Sequence, residues 1–191
     1  MAQIFLVRHG KKSTTDFNSI LSKKGKLQAS YLSNRLKTIK LTKIYVSTML
    51  RALQTAKPAL KYHTDIPIIT TDLLSEVHAS LVGGKIGRDI GRARIDRKRA
   101  NQVFDEIFTK AKRNDRILVV CHGNIIKYFL KKILRINKFD LWRYLQIHSS
   151  GVSLIEGYKD EWSIRTINNI DHLNKIHKSD FYNKKYEIPK E

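Results

Sequence analysis

Two short runs, Ile4-Phe5-Leu6-Val7 and Ile117-Leu118-Val119-Val120-Cys121, are apolar at every position. A strand with one face in water alternates polar and apolar residues, whereas a strand covered on both faces reads as an unbroken apolar run. Runs of this kind require helices on both sides of a sheet, and the intervening sequence supplies them. Residues 2–7 form the first predicted strand. Ser22 then offers an N-cap to a helix whose apolar side carries Leu27, Tyr31, Leu32, Leu36 and Ile39. Lys43–Ser47 reads as the second strand, about Met49 to Tyr62 as a helix, and Ile66–Thr70 as a short extended piece in which Pro67 argues for a sheet edge or a strand start. The glycine-rich stretch from Gly83 to Gly91 is expected to be a loop. Helical spacing resumes from about Asp96 to Arg113 through Val103, Phe104, Ile107, Phe108 and Ala111. Ile117–Cys121 and the apolar helix Ile125–Leu134 follow, and further strands are expected at Trp142–Ile147, Gly151–Glu156 and Trp162–Ile167. The alternation predicts an α/β fold, a three-layer α/β/α sandwich around a mainly parallel sheet. With no repeat or interior linker, one domain is expected over residues 1–173, followed by a basic, weakly patterned tail at 174–191.

A sheet of this class binds ligands beyond the carboxyl ends of its strands, and chemistry-bearing residues fall there. Arg8-His9-Gly10 ends the first strand. A neutral imidazole nitrogen can attack phosphorus and split one displacement into two easier ones, which makes His9 the candidate nucleophile. Arg8 and Arg51, the latter opening the second helix, offer planar guanidinium forks to phosphoryl oxygens. His122 ends a buried strand and leads into a helix, so its ring, as a cation or a neutral donor, and the backbone N–H groups of the first turn at Gly123 are candidate phosphate ligands. Glu76, after the third strand, is placed to protonate a leaving oxygen and then to help a water attack. Each has a plainer reading when taken singly: a core histidine, an exposed helix arginine, a capping histidine, a solvated loop carboxylate. Their joint occurrence at element ends favours a phosphoryl-transfer site.

Charge narrows the partners. Lys plus Arg number 37 and Asp plus Glu 17, so the net charge is 37 − 17 = +20, which favours anions. Nucleic acid, an anionic membrane surface, phosphoprotein and small phosphoesters all qualify on charge alone; the candidate phosphoryl-transfer residues favour a phosphorylated substrate, either phosphoprotein or small phosphoester. The basic segment Arg88 to Arg99 is a candidate for recognising an acidic or phosphorylated substrate, or is simply a solvated face. Nucleic acid is disfavoured as a partner because aromatic residues are not interleaved with the basic ones. No apolar stretch approaches the roughly 20 residues that span a bilayer, so no membrane span is expected, and a homo-oligomer stays open. The chain enters a strand at once without a signal-like segment, which gives a cytoplasmic expectation. Neither metal nor other cofactor is expected: His172 and His177 are five apart rather than four, no cysteine pair assists, and the lone Cys121 reads as inert core.

Taken together, these residues resemble the histidine phosphatase, or phosphoglycerate-mutase-like, superfamily from Ile4 to about Leu173. Leu6-Val7-Arg8-His9-Gly10 resembles its defining motif; Leu21-Ser22, Gly25, Gln28 and Ala29 its first-helix signature; Val46-Ser47 through Arg51-Ala52 and Gln54-Thr55 its second-arginine motif. Leu73-Leu74-Ser75-Glu76 and Cys121-His122-Gly123 match its acid and second-histidine positions. The resemblance implies His9 as nucleophile, Arg8, Arg51 and His122 as phosphate ligands, and Glu76 as proton donor. Within the superfamily, Thr71 to Glu76 and His122 to Tyr128 most resemble the phosphoglycerate-mutase-like Ser/Thr protein phosphatases, although Val77-His78-Ala79 departs from the small residues expected after the acid. A phosphomonoester hydrolase with a phosphohistidine intermediate is therefore expected. The alternatives are a small-molecule phosphatase, a phosphoglycerate mutase, or a noncatalytic phosphate- or polyanion-binding module.

Overall fold

In the computed structural model, which describes residues 1–84, 90–136 and 140–173, the first apolar run sorts its side chains between two cores. Within β1 (Ala2–Arg8), Ile4 and Leu6 enter one core while Phe5 and Val7 enter the other. The second run behaves identically in β4 (Arg116–Cys121), where Ile117, Val119 and Cys121 share a core with Ile4, and Leu118 and Val120 share one with Phe5. Each fully buried aliphatic side chain contributes about 1.5–3 kcal/mol. The two runs are also paired with each other in parallel, from Gln3 opposite Arg116 to Arg8 opposite Cys121.

Helices cover both faces. On one side lie α1 (Lys23–Leu36) and α2 (Leu50–Leu60), which contribute Leu32, Leu36, Ala52, Ala56 and Ala59. On the other lie α3 (Ile90–Phe104), continued by a π turn at Asp105–Thr109, and α4 (Gly123–Ile133), with Val103, Phe108, Ile125 and Phe129 at their buried faces. With β2 (Lys43–Ser47), β3 (Ile68–Thr71), β5 (Val152–Tyr158) and β6 (Glu161–Asn169), the described strands form a sheet in the order β3-β2-β4-β1-β5-β6. The β3–β2, β2–β4 and β4–β1 pairings are parallel, and β5 and β6 add an antiparallel hairpin against β1. The sandwich expected from sequence is present, and Pro67 sits just before the edge strand β3, where its missing N–H costs no ladder bond.

Several local expectations are corrected. Leu27 and Tyr31 do not join the core of α1: Leu27 is 49% exposed, and the buried face is Gly25, Gln28, Ala29, Leu32, Ser33 and Leu36. The helix expected from Asp96 begins by Ile90 and so takes in Gly91; residues 85–89 of the expected loop lie outside the described residues. Trp142–Ile147 is not a strand. The Asp140 carboxylate accepts the Arg143 N–H at 3.0 Å and caps a single turn, α5 (Leu141–Tyr144), with Leu141 buried and Trp142 and Tyr144 in solvent. The alternating aromatics there mimic a strand, but Trp142 and Tyr144 stay in solvent, and the residues that reach the core are Leu141 before the segment and Ile147 at its end, with Leu145 packed partly against it. The expected tail at 174–191 lies outside the described residues.

The topology creates one crevice. β1 and β4 are neighbours, yet the helices that leave them, α1 and α4, pack on opposite faces, so their carboxyl ends flank a switch point of the kind that binds ligands. Glycine allows the chain leaving β1 to turn tightly there. A Cβ on Gly25 would lie 2.1 Å from the Lys11 carbonyl oxygen, and one on Gly10 would lie 2.7 Å from the Gly25 carbonyl oxygen. Gly25→Ala is therefore expected to lower stability in urea by about 1–3 kcal/mol, as overpacking does. Leu27→Ala, two residues along the same helix and exposed, is expected to stay within about 0.5 kcal/mol.

Candidate active site

His9 follows the last residue of β1, and its backbone N–H donates to the Cys121 carbonyl at 2.9 Å, tying the end of β1 to that of β4. The ring is buried, only 4% exposed. Nδ1 lies 2.7 Å from the carbonyl oxygen of Gly10. A carbonyl can only accept, so the proton sits on Nδ1 and the lone pair on Nε2. Nε2 accepts the Arg51 Nε–H at 3.0 Å. Burial, with Arg8, Arg51 and Lys12 nearby, holds the His9 pKa well below its ordinary value, against a smaller opposite effect of the Gly10 carbonyl. His9 is thus a neutral base with one defined tautomer.

The motif residues around it hold this ring and its loop. Thr55 Oγ1 accepts the Gly10 N–H at 2.9 Å and donates to the Arg51 carbonyl at 2.6 Å. Gln28 Oε1 accepts the Lys11 N–H at 2.9 Å, and Gln54 Oε1 accepts the Leu21 N–H at 2.7 Å. Arg51 itself is buried, with Nη1 donating to the Phe17 carbonyl at 2.6 Å. The Arg8 guanidinium donates to the Ile147 carbonyl, in the irregular segment that replaces the expected strand.

His122 occupies the N-cap position of α4 and is completely buried, its ring centroid 5.1 Å from that of His9. Its Nε2 is 2.9 Å from Ser47 Oγ, while Nδ1 is buried with no hydrogen-bond partner among the described residues. Burial first, then His9, Arg51, Arg8 and Arg99, hold its pKa well below 6.5. Of the two forms expected from sequence, the neutral one is favoured.

Glu76 takes up part of the first turn of α4. The first-turn N–H groups of α4 do meet an anion, but it is this carboxylate: Oε1 accepts from Asn124 at 3.0 Å, Ile125 at 3.2 Å and Val77 at 3.2 Å. Gly123 itself lies beside Arg8, with its Cβ position 3.5 Å from Arg8 Nε, an ordinary contact. Burial raises the Glu76 pKa, and Arg8 and the three amides only partly oppose it. Since Oε1 accepts those N–H groups, a proton on this carboxyl resides on Oε2.

Arg8, His9, Arg51 and Glu76 line one cleft of about 390 Å³, joined by Lys12 and Arg92. The latter two were not singled out in the sequence, though Arg92 belongs to the basic segment. That segment divides. Arg92 reaches the cleft, whereas Arg99 Nη1 donates to the Asp72, Leu73 and Ser75 carbonyls (3.1, 2.8 and 2.7 Å) and its Nη2 to the Glu76 carbonyl at 3.2 Å. Asp96 completes the clamp by pairing with Arg99 at 2.9 Å and accepting the His78 N–H at 2.8 Å. Arg88 and Asp89 lie outside the described residues.

Two histidines, two arginines and a partly buried carboxyl at a strand-end crevice define a phosphoryl-transfer type of site. The model of the histidine phosphatase superfamily (branch 1) matches residues 4–96 and 92–170, and the chain belongs to that family. It is 30% identical over 186 residues to the mitochondrial serine/threonine-protein phosphatase Pgam5 of Caenorhabditis briggsae, covering 91% of this chain and 65% of the relative. The chain thus spans about two thirds of that protein's length. The fold also matches a phosphoglycerate mutase from Plasmodium falciparum (TM-score 0.64, 29% identity, 91% of this chain and 95% of that one). A phosphoserine phosphatase from Entamoeba histolytica shares the fold with a TM-score of 0.71 at 20% identity, covering 91% of this chain and 100% of that one.

The clamp makes a prediction. Arg99→Ala is expected to cost about 2–3 kcal/mol, in the range for charge-assisted hydrogen bonds, and to raise amide exchange across 72–78. Exposed Arg97→Ala, two residues away, should leave that exchange unchanged.

Proposed function

We propose that the chain hydrolyses phosphomonoesters through a phosphohistidine on His9. The observation that carries this reading is the fixed neutral tautomer: Nδ1 is committed to Gly10, leaving Nε2 as the single basic nitrogen. Arg51 donates to that lone pair and passes to a phosphoryl oxygen as substrate arrives. Nε2 then forms the bond to phosphorus while the ester P–O bond breaks, and Glu76 Oε2 delivers its proton to the leaving oxygen. In the second step a water attacks phosphorus, Glu76 takes its proton, and the P–N bond breaks, which restores neutral His9 and releases phosphate. Arg8, Arg51 and His122, in the neutral tautomer whose Nε2 accepts the Ser47 hydroxyl and whose proton is on the otherwise unpartnered Nδ1, supply donors to the three phosphoryl oxygens as negative charge is redistributed. Charge stabilisation on this scheme comes from side chains and does not call on a metal.

Phosphoserine or phosphothreonine in a protein is the substrate class we favour, supported by the name of the C. briggsae relative and by the cationic cleft wall of Lys12 and Arg92. The similarity to the P. falciparum protein favours a second reading, transfer between hydroxyls of a phosphoglycerate. Assaying free phosphate and isomerised phosphoglycerate side by side separates the two.

Rapid quenching without acid, using phosphopeptide labelled in its phosphoryl group, is expected to trap an alkali-stable, acid-labile label on wild type and none on His9→Ala. Equal labelling of that variant would sink the mechanism. The pH dependence is set by two opposed shifts. His9 must be neutral, and its lowered pKa moves the acid limb of kcat/KM well below pH 6.5. Glu76 must be protonated for the first step, and its raised pKa moves the alkaline limb above pH 4.5. Glu76→Gln should remove the alkaline limb and lower kcat by roughly 10²–10⁴-fold, the usual contribution of a positioned acid.

A further inference from the structure

A second cavity, of about 500 Å³, lies between α3 and the C-terminal end of α4 and shares no lining residue with the catalytic cleft. Four cations converge on it: Arg97 from α3, Lys131 and Lys132 from the last turn of α4, and Arg135 just beyond it. The side chains of Arg97, Lys131 and Arg135 have no hydrogen-bond or ion-pair partner among the described residues. Lys132 is pre-positioned. Its Nζ donates to Asn101 Oδ1 at 2.9 Å and stands 4.1 Å from the centre of the Phe104 ring, and the same Asn101 oxygen accepts the Tyr128 hydroxyl at 2.8 Å. Asp105 approaches Lys132 only to 4.0 Å, is mostly exposed, and is not part of the cavity wall.

Lysines in a last helical turn are explained by the negative end of the helix dipole. That account covers Lys131 and Lys132. It does not cover Arg97, which comes from a different helix, or Arg135, which lies past the end of α4 with its backbone at φ 55°. That conformation is held by Arg135 N–H on the Lys132 carbonyl and Ile136 N–H on the Lys131 carbonyl, both at 3.1 Å. Like charges brought together without counter-charge repel, and an anion that they share relieves the repulsion. The cavity volume suits a small molecule, and guanidinium forks suit phosphoryl oxygens.

We propose that this cavity is a binding site for a small polyanion carrying two or more phosphoryl groups, separate from the catalytic cleft. A free polyphosphate and a polyphosphorylated lipid headgroup present the same chemistry. Calorimetric titration with inorganic tripolyphosphate, at about 150 mM salt to screen the general field of the +20 chain, tests the site. The titrated protein carries Arg51→Ala so that the catalytic cleft competes less. Adding Arg97→Gln, Lys131→Gln and Arg135→Gln is expected to weaken binding at least tenfold. Adding instead Lys23→Gln, Lys26→Gln and Lys40→Gln, which removes the same charge from exposed positions elsewhere, is expected to leave affinity within twofold. Equal weakening by both triples, or no binding before either, overturns the proposal; circular dichroism of each variant confirms that the fold is retained. Sedimentation with vesicles containing phosphatidylinositol bisphosphate identifies the source. Vesicle binding that disappears with the first triple extends the site to headgroups, and vesicles that do not bind assign it to free anions.

Discussion

The hydrogen bond between His9 Nδ1 and the Gly10 carbonyl is made between neighbours in sequence, so a side chain is fixed by the path of its own backbone. That path is in turn over-determined. The His9 N–H is held by β4, the Gly10 N–H by Thr55, the Lys11 N–H by Gln28, and the turn fits only because Gly10 and Gly25 have no Cβ. Three of those partners lie on α1 and α2, whose packing against β1 is therefore what orients the imidazole. Thr55 also takes the Arg51 carbonyl, so the same residue that sets the ring's backbone sets the start of the helix that brings the guanidinium to Nε2.

The site is held at a cost to stability that depends on pH in two directions. His9 and His122 resist protonation when folded, so the unfolded chain binds protons more readily as pH falls below 6.5, and the folded state loses stability there. Glu76 resists ionisation when folded, so the unfolded chain ionises more readily as pH rises above 4.5, and the loss runs the other way. Opposed perturbations of a base and an acid in one cleft suit sequential proton transfer, while the Glu76 carboxylate also caps the first turn of α4. Cys121 is the contrast: burial also raises its pKa, yet it faces the core and no chemistry attaches to it.

The sandwich is legible because two runs with no polar residue require cover on both faces, and the strand-end rule places His9 and His122 together from the sequence alone. The identity of Oε1's partners was not legible. A helix N-terminus attracts an anion, but whether the anion is substrate or a protein carboxylate depends on how far the loop carrying Glu76 reaches, which no local pattern encodes. Trp142–Ile147 failed for a related reason. Its alternation was genuine, but Asp140 as a cap turns the chain at Leu141–Tyr144, which leaves Trp142 and Tyr144 in solvent and only Leu141 and Ile147 buried. Thr55, Gln28 and Gln54 were visible as motif positions; their acceptor roles emerge only when the loops they hold are folded over them.

The basic segment around α3 shows most clearly how sequence periodicity separates functions that composition blurs. Read as a block of charge, it suggests either one anion-binding patch or an idle solvated face. Read at 3.6 residues per turn, Arg92, Asp96 and Arg99 follow one another at i, i+4 and i+7 along a single face, and that face meets the cleft and the Glu76 loop. Arg97 and Asn101, at i and i+4, form a second face directed at α4 and its terminal cations. Ala100 and Val103 form a third, in the core. Asp96 is the residue that makes this partition work: one carboxylate inside the basic run draws Arg99 onto the acid loop, and the helix turn that it fixes points Arg97 the other way. The helix is thus joined to the molecule by Ala100 and Val103 in the core on one face and by the Asp96–Arg99 clamp on the Glu76 loop on another.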